Sequence, residues 1–182
     1  KSFTRRVPWL LVSLITALIS VGVLHQFELI FIYNPFVAVL LPLVAAIGGH
    51  AATQTMTVIV RGISMGEVNS ETRRRAFLKE VLVGIFNGLA VGVVASLAVG
   101  LLYFWLKGHD VAQATRFGGV VLLSLIFTLF VASIAGSLVP ITLKRLNFDP
   151  AIASSVFVIT ITDVLGFLVF LLLASKLLAL DE

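Results

Sequence analysis

Five apolar runs, each about as long as the hydrocarbon core of a bilayer is thick, dominate this sequence. A helix needs about 20 mostly apolar residues to cross that core. Lipid offers no partner to backbone N–H and C=O groups, so runs of this kind fold as helices rather than as open strands. The chain is therefore expected to be an all-α integral membrane protein with five transmembrane helices, at about 7–31, 35–61, 81–106, 117–142 and 150–178 of a single transmembrane domain, 1–182. Charged residues make up 12% and hydrophobic residues 59%, whereas soluble domains are about 25% charged, which excludes a soluble monomer. There is no cysteine, which removes disulfides, zinc–thiolate sites and iron–sulfur clusters. The first run follows Lys1, Arg5 and Arg6 and has no small-residue cleavage site, so it is expected to stay rather than be removed as a signal peptide.

Orientation follows from the basic residues at the helix ends, because cytoplasmic loops carry the excess. Lys1, Arg5, Arg6, Arg61, Arg73, Arg74, Arg75, Lys79, Lys144 and Arg145 fall on one side, and Lys107, Arg116 and Lys176 on the other. The N-terminus is thus expected in the cytoplasm and the C-terminus outside, in a plasma membrane. This distribution also accounts for the net charge of +4 without nucleic acid as a partner. Trp9, Tyr33, Tyr103 and Trp105 fall near the expected interfaces, where amphipathic rings anchor. In the polar loop 62–75, Ser70 is expected to cap the third helix, and the basic run that follows has contact with anionic lipid as a lesser reading.

The polar residues inside the spans carry the chemistry. Asp163 stands near the middle of the fifth run, with no basic residue near it there. An ionisable group at that depth costs roughly 2.5–3.5 kcal/mol on insertion scales and normally faces a partner or a water-filled path. A cation-binding carboxylate is the favoured reading over a hydrogen-bonded structural carboxyl. On the second helix His50, Thr53, Gln54, Thr57 and Arg61 recur at spacings of three and four and share one face. Such a stripe suits either hydrogen bonding between helices or the wall of a pore. The pair Gly48-Gly49 on the same helix either permits close packing against a neighbour or, with Pro42, lets the helix bend or unwind and turn carbonyls towards a cavity.

Hard cations want oxygen ligands, and Mg²⁺ keeps several of its waters. Asp163, the backbone at Gly48 and Gly49, and Thr53 form a set that suits a hydrated ion. Ile159 and Thr160, one turn before Asp163, are expected to line the same path. His50 by itself is weak evidence for a transition metal, having no second ligand three or four residues away. Glu28, near the outer end of the first helix, is the candidate for an outer mouth, or simply snorkels to the interface. Asn87 in the third helix is expected to be packing glue. No phosphate-binding loop, zinc-protease helix or nucleophile elbow is present, so an enzyme is not expected.

Taken together, these residues resemble the MgtE family of magnesium channels and transporters, and specifically its five-helix transmembrane domain. Gly48-Gly49-His-Ala-Ala-Thr-Gln54-Thr-Met-Thr57 with Arg61 resembles the family pattern G-G-N-x-G-x-Q-x-x-T-x-x-x-R. Arg5-Arg-Val-Pro-Trp-Leu-Leu11, Phe27-Glu28, Phe77-Leu-Lys-Glu80 with Gly84, Asp149-Pro-Ala151 and Thr162-Asp163-Val-Leu-Gly166 resemble, in order, other landmarks of that domain. The resemblance implies a homodimer in which helices two and five of both subunits line a central pore, with Asp163 holding hydrated Mg²⁺ beside the backbone of Gly49. It implies that the fourth helix is scaffold, and that the setting is a bacterial inner membrane.

Two positions depart from the pattern. His50 stands where the family usually has Asn, and Ala52 where it usually has Gly, which leaves Mn²⁺ and Co²⁺ open beside Mg²⁺. The family's large cytosolic sensor domains have no counterpart in this sequence, so a cytosolic regulatory domain or partner is a further expectation. The function expected is a divalent-cation channel or transporter. Its alternatives are a proton-coupled exchanger and a membrane scaffold that moves no ion.

Overall fold

The computed structural model describes residues 2–178, among which there are six helices and no strand. They are α1 (Ser2–Gln26), α2 (Glu28–Tyr33), α3 (Pro35–Ser64), α4 (Arg73–Leu106), α5 (Val111–Arg145) and α6 (Pro150–Leu178). All but α2 contain a segment long and apolar enough to cross a membrane. Lys1 lies outside the described residues, as do the side chains of Arg5 and Arg6.

The first expected helix is divided. The chain turns at Phe27, with φ −115° and ψ 21°, and α2 follows as a separate short helix. No proline or glycine marks the break; Ile30 is buried in the core and Phe27 and Phe31 pack against it, contacts that hold the turn. After Asn34, Pro35 opens α3, where its missing N–H removes no helical bond.

The third span begins at Arg73 rather than near 81, because Arg73–Arg75 extend the helix beyond the apolar stretch, and arginine is a good helix former. Ser70 is not its cap. Asn69 organises this turn instead: its Oδ1 accepts the N–H of Glu71 at 2.9 Å and of Thr72 at 3.1 Å. The fourth span likewise starts early, at Val111, where Asp110 Oδ1 accepts the Gln113 N–H at 3.0 Å in a conventional N-cap. Asn147, at φ 60°, reverses the chain into α6, a conformation asparagine tolerates better than most residues.

The centre of the bundle is α5, which packs against α3, α4 and α6, while α1 lies against α6. Lipid tails are as apolar as leucine, so close packing of small residues has to hold such helices together. Gly84, Gly88 and Gly92 form one line along α4 facing α5. A Cβ on Gly88 would stand 2.9 Å from the Ile126 Cα, and one on Gly84 would meet the Ser133 side chain. Further along α5, Gly136 approaches the Ala52 carbonyl of α3, with 2.9 Å left for a Cβ. Phe36, Tyr103 and Phe117 close one end of the bundle, with ring centroids 4.4–5.2 Å apart.

Candidate functional site

Of the two readings of Gly48-Gly49, an unwound second span does not occur. α3 is continuous through Pro42 and Gly48-Gly49 to Ser64, and the two glycines do different work. Gly48 is buried where three helices cross: a Cβ there would lie 2.6 Å from Thr128 Cγ2 of α5 and 3.0 Å from Thr162 Cγ2 of α6. Gly49 has nothing within 4 Å of its Cβ position and faces open space. Close packing, and not a broken helix, is the physical reason for the first glycine.

His50, Thr53, Gln54, Thr57 and Arg61 are all exposed along α3. The threonine hydroxyls turn back on their own helix, Thr53 Oγ1 donating to the Gly49 carbonyl at 2.8 Å and Thr57 Oγ1 to the Thr53 carbonyl at 2.7 Å. No hydrogen bond joins this stripe to another helix among the described residues. Within one chain the stripe is therefore an open polar face.

On α6 the same back-bonding recurs at Thr160, whose hydroxyl donates to the Val156 carbonyl at 2.7 Å, and at Thr162, which donates to Val158 at 2.8 Å. Ile159 is exposed and Thr160 half-buried. Asp163 is half-buried and makes no hydrogen bond or ion pair among the described residues. Its neighbour Thr162 is the residue that packs on Gly48, so the Gly48 crossing and the carboxylate occupy the same level of the bundle.

Glu28 lies apart from this crossing. It is exposed on α2, 3.1 Å from His25 Nδ1, and α2 packs on α3. No group of three or more His, Asp or Glu able to hold a metal exists among the described residues. A bare ion would find too few ligands in one chain, whereas a hydrated Mg²⁺ needs one or two carboxylates and keeps its waters.

Sequence reasoning passed over two features. Thr128 reaches from α5 into the crossing, between Gly48, Thr162 and Gly166, and its hydroxyl is buried without a partner among the described residues. A central threonine in a run of apolar and small residues was the only available signal. The second is Glu80, buried on α4 beside a cavity of about 470 Å³ that Glu67, Arg75 and Lys79 also line. Asn87, expected as glue, is exposed and makes no hydrogen bond among the described residues.

Comparison with known proteins adds the following. The family profile of MgtE, a divalent cation transporter, matches residues 41–173. The magnesium transporter MgtE of Thermus thermophilus is 33% identical over 173 residues, covering 95% of this chain and 36% of that protein. The Bacillus subtilis magnesium transporter MgtE is 32% identical over 171 residues, 94% of this chain and 36% of its own length. That of Enterococcus faecalis is 30% identical over 175 residues, 96% and 37% respectively. The chain thus spans little more than a third of the curated relatives it matches.

Proposed function

The chain belongs to the MgtE family of divalent cation transporters, and from that premise we propose that it forms a homodimeric pathway for Mg²⁺ through a membrane. The observation that carries this reading is Asp163, a carboxylate within a spanning helix, half-buried and unpartnered among the described residues. The open polar face of α3 supports it, since an exposed row of His50, Thr53, Gln54 and Thr57 is costly against lipid and suits water or a second subunit.

In the proposed dimer, α3 and α6 of both chains line the path. Gly49, Ile159 and Thr160 stand beside the ion, while Gly48 sets how closely α3 approaches α6. Hydrated Mg²⁺ is the cargo, and Asp163 neutralises it through its water shell without stripping it. The basic ends of α3, α4 and α5 lie in the cytoplasm by the positive-inside rule, and the driving force is the ion gradient with the membrane potential.

Uptake of Mg²⁺ into liposomes holding the purified chain tests the reading, with Asp163→Asn as the paired variant. Flux in the wild type that disappears in a variant of unchanged helicity and dimer mass supports it. Equal flux in both removes Asp163 from the pathway. Flux that stops unless protons move the opposite way makes the protein an exchanger, and no flux from an intact dimer leaves the scaffold reading.

A further inference from the structure

The loop between α3 and α4 and the end of α5 together line an open cavity of about 400 Å³. Its cationic side chains are Arg73 from the first turn of α4 and Lys144 and Arg145 from the last turn of α5. Ile63, Val68 and Ile141 line it as well, giving apolar wall beside positive charge. No acidic residue is part of the lining. The two glutamates of this loop are turned elsewhere: Glu67 lines the neighbouring cavity with Glu80, and Glu71 a groove along α4.

This sorting exceeds what orientation in the membrane requires. The positive-inside rule depends on how many Lys and Arg residues lie near the helix ends, and is indifferent to whether they converge on a cavity or share it with acids. The loop is also held in place. The Val68 N–H donates to the Gly62 carbonyl at 3.0 Å, and the Val68 side chain packs on Gly62 at the end of α3. Asn69 fixes the next turn through the Glu71 and Thr72 N–H groups.

We propose that this cavity binds the phosphate of an anionic phospholipid, with Arg73, Lys144 and Arg145 around the headgroup and Ile63, Val68 and Ile141 against the glycerol and first acyl carbons. Basic residues at a membrane surface each add to the attraction of anionic lipid, and arginine suits phosphate because its planar donors bind two oxygens at once. The combination of apolar wall and positive rim at the ends of spanning helices favours a lipid over a soluble phosphate. Because the site joins the α3–α4 loop to the end of α5, an occupied cavity ties the ends of three helices together.

Native mass spectrometry of the purified chain with phosphatidylglycerol or phosphatidylcholine tests the site. Selective retention of phosphatidylglycerol is expected, weakened at least about tenfold in Arg73→Gln/Lys144→Gln/Arg145→Gln and unchanged in Arg74→Gln/Lys79→Gln, which removes charge from α4 outside the cavity. Ile141→Trp, which fills the cavity and keeps every charge, is expected to weaken retention as well and serves if the triple variant fails to fold. Equal retention in all variants, or equal loss in both charge variants, overturns the proposal. So does displacement of the lipid by millimolar inorganic phosphate, which would make the occupant a soluble anion.

Discussion

The Cγ2 methyl of Thr128 lies 2.6 Å from the point where a Cβ on Gly48 would stand, so α5 and α3 meet with no room for one more carbon. The helix that the family resemblance treats as scaffold therefore sets the spacing at the level of Asp163.

Gly48→Ala and Gly49→Ala should separate packing from function. The first forces Thr128 or Thr162 to move and should lower stability by about 1–3 kcal/mol, as overpacking does. The second enters open space, so thermal unfolding in detergent should be unchanged or slightly raised, since alanine is the better helix former by about 1 kcal/mol. If Gly49 borders the ion path, its variant loses Mg²⁺ flux while keeping its melting temperature.

Thr128→Val keeps the branched shape and removes a hydroxyl that has no partner among the described residues. A buried unpaired hydroxyl costs about 1–3 kcal/mol, so this variant should melt higher than the wild type. A lower melting temperature would mean that a buried water satisfies the group.

Gly88→Ala and Gly119→Ala form a second contrast. A Cβ on Gly88 meets the backbone of Ile126 at 2.9 Å, whereas one on Gly119 has nothing within 4 Å. Backbone cannot swing aside as a side chain can, so Gly88→Ala should destabilise by about 1–3 kcal/mol, and Gly119→Ala should be neutral or mildly stabilising in the same melting experiment.

His50→Asn changes an exposed residue of the open α3 face to the type the family pattern carries. Its melting temperature should match the wild type. On the proposed function, the ratio of Mn²⁺ or Co²⁺ to Mg²⁺ uptake should fall, because imidazole binds transition metals better than an amide does. An unchanged ratio would take His50 out of ion discrimination.

The spans were legible because their length is imposed by the bilayer and needs no tertiary information. Their ends were less so. Arg73–Arg75 are polar enough to suggest a loop yet favourable in a helix, and the turn at Phe27 depends on contacts with a core that the local sequence does not reveal. The α3 stripe was visible through helical periodicity, and its exposure in one chain resolves the choice between glue within the chain and an open face. Gly48-Gly49 left two readings open, since glycine permits both a broken helix and a close crossing, and only the positions of Thr128 and Thr162 decide for the crossing at Gly48. Thr128 itself is one hydroxyl in an apolar run, a signal that does not say which helices it meets.

The order of packing differs from the order of synthesis. α3 and α4 are consecutive yet barely touch, and both rest chiefly on α5, which leaves the ribosome after them. Until then the Gly84–Gly92 line of α4 and the Gly48 level of α3 have no partner, and the earlier helices must wait in the membrane as separate rods. Assembly is therefore expected to be abrupt, beginning when the fourth span arrives and completed by the fifth, on which α1 rests. A chain stopped before residue 111 would contain three correctly formed spans and no bundle.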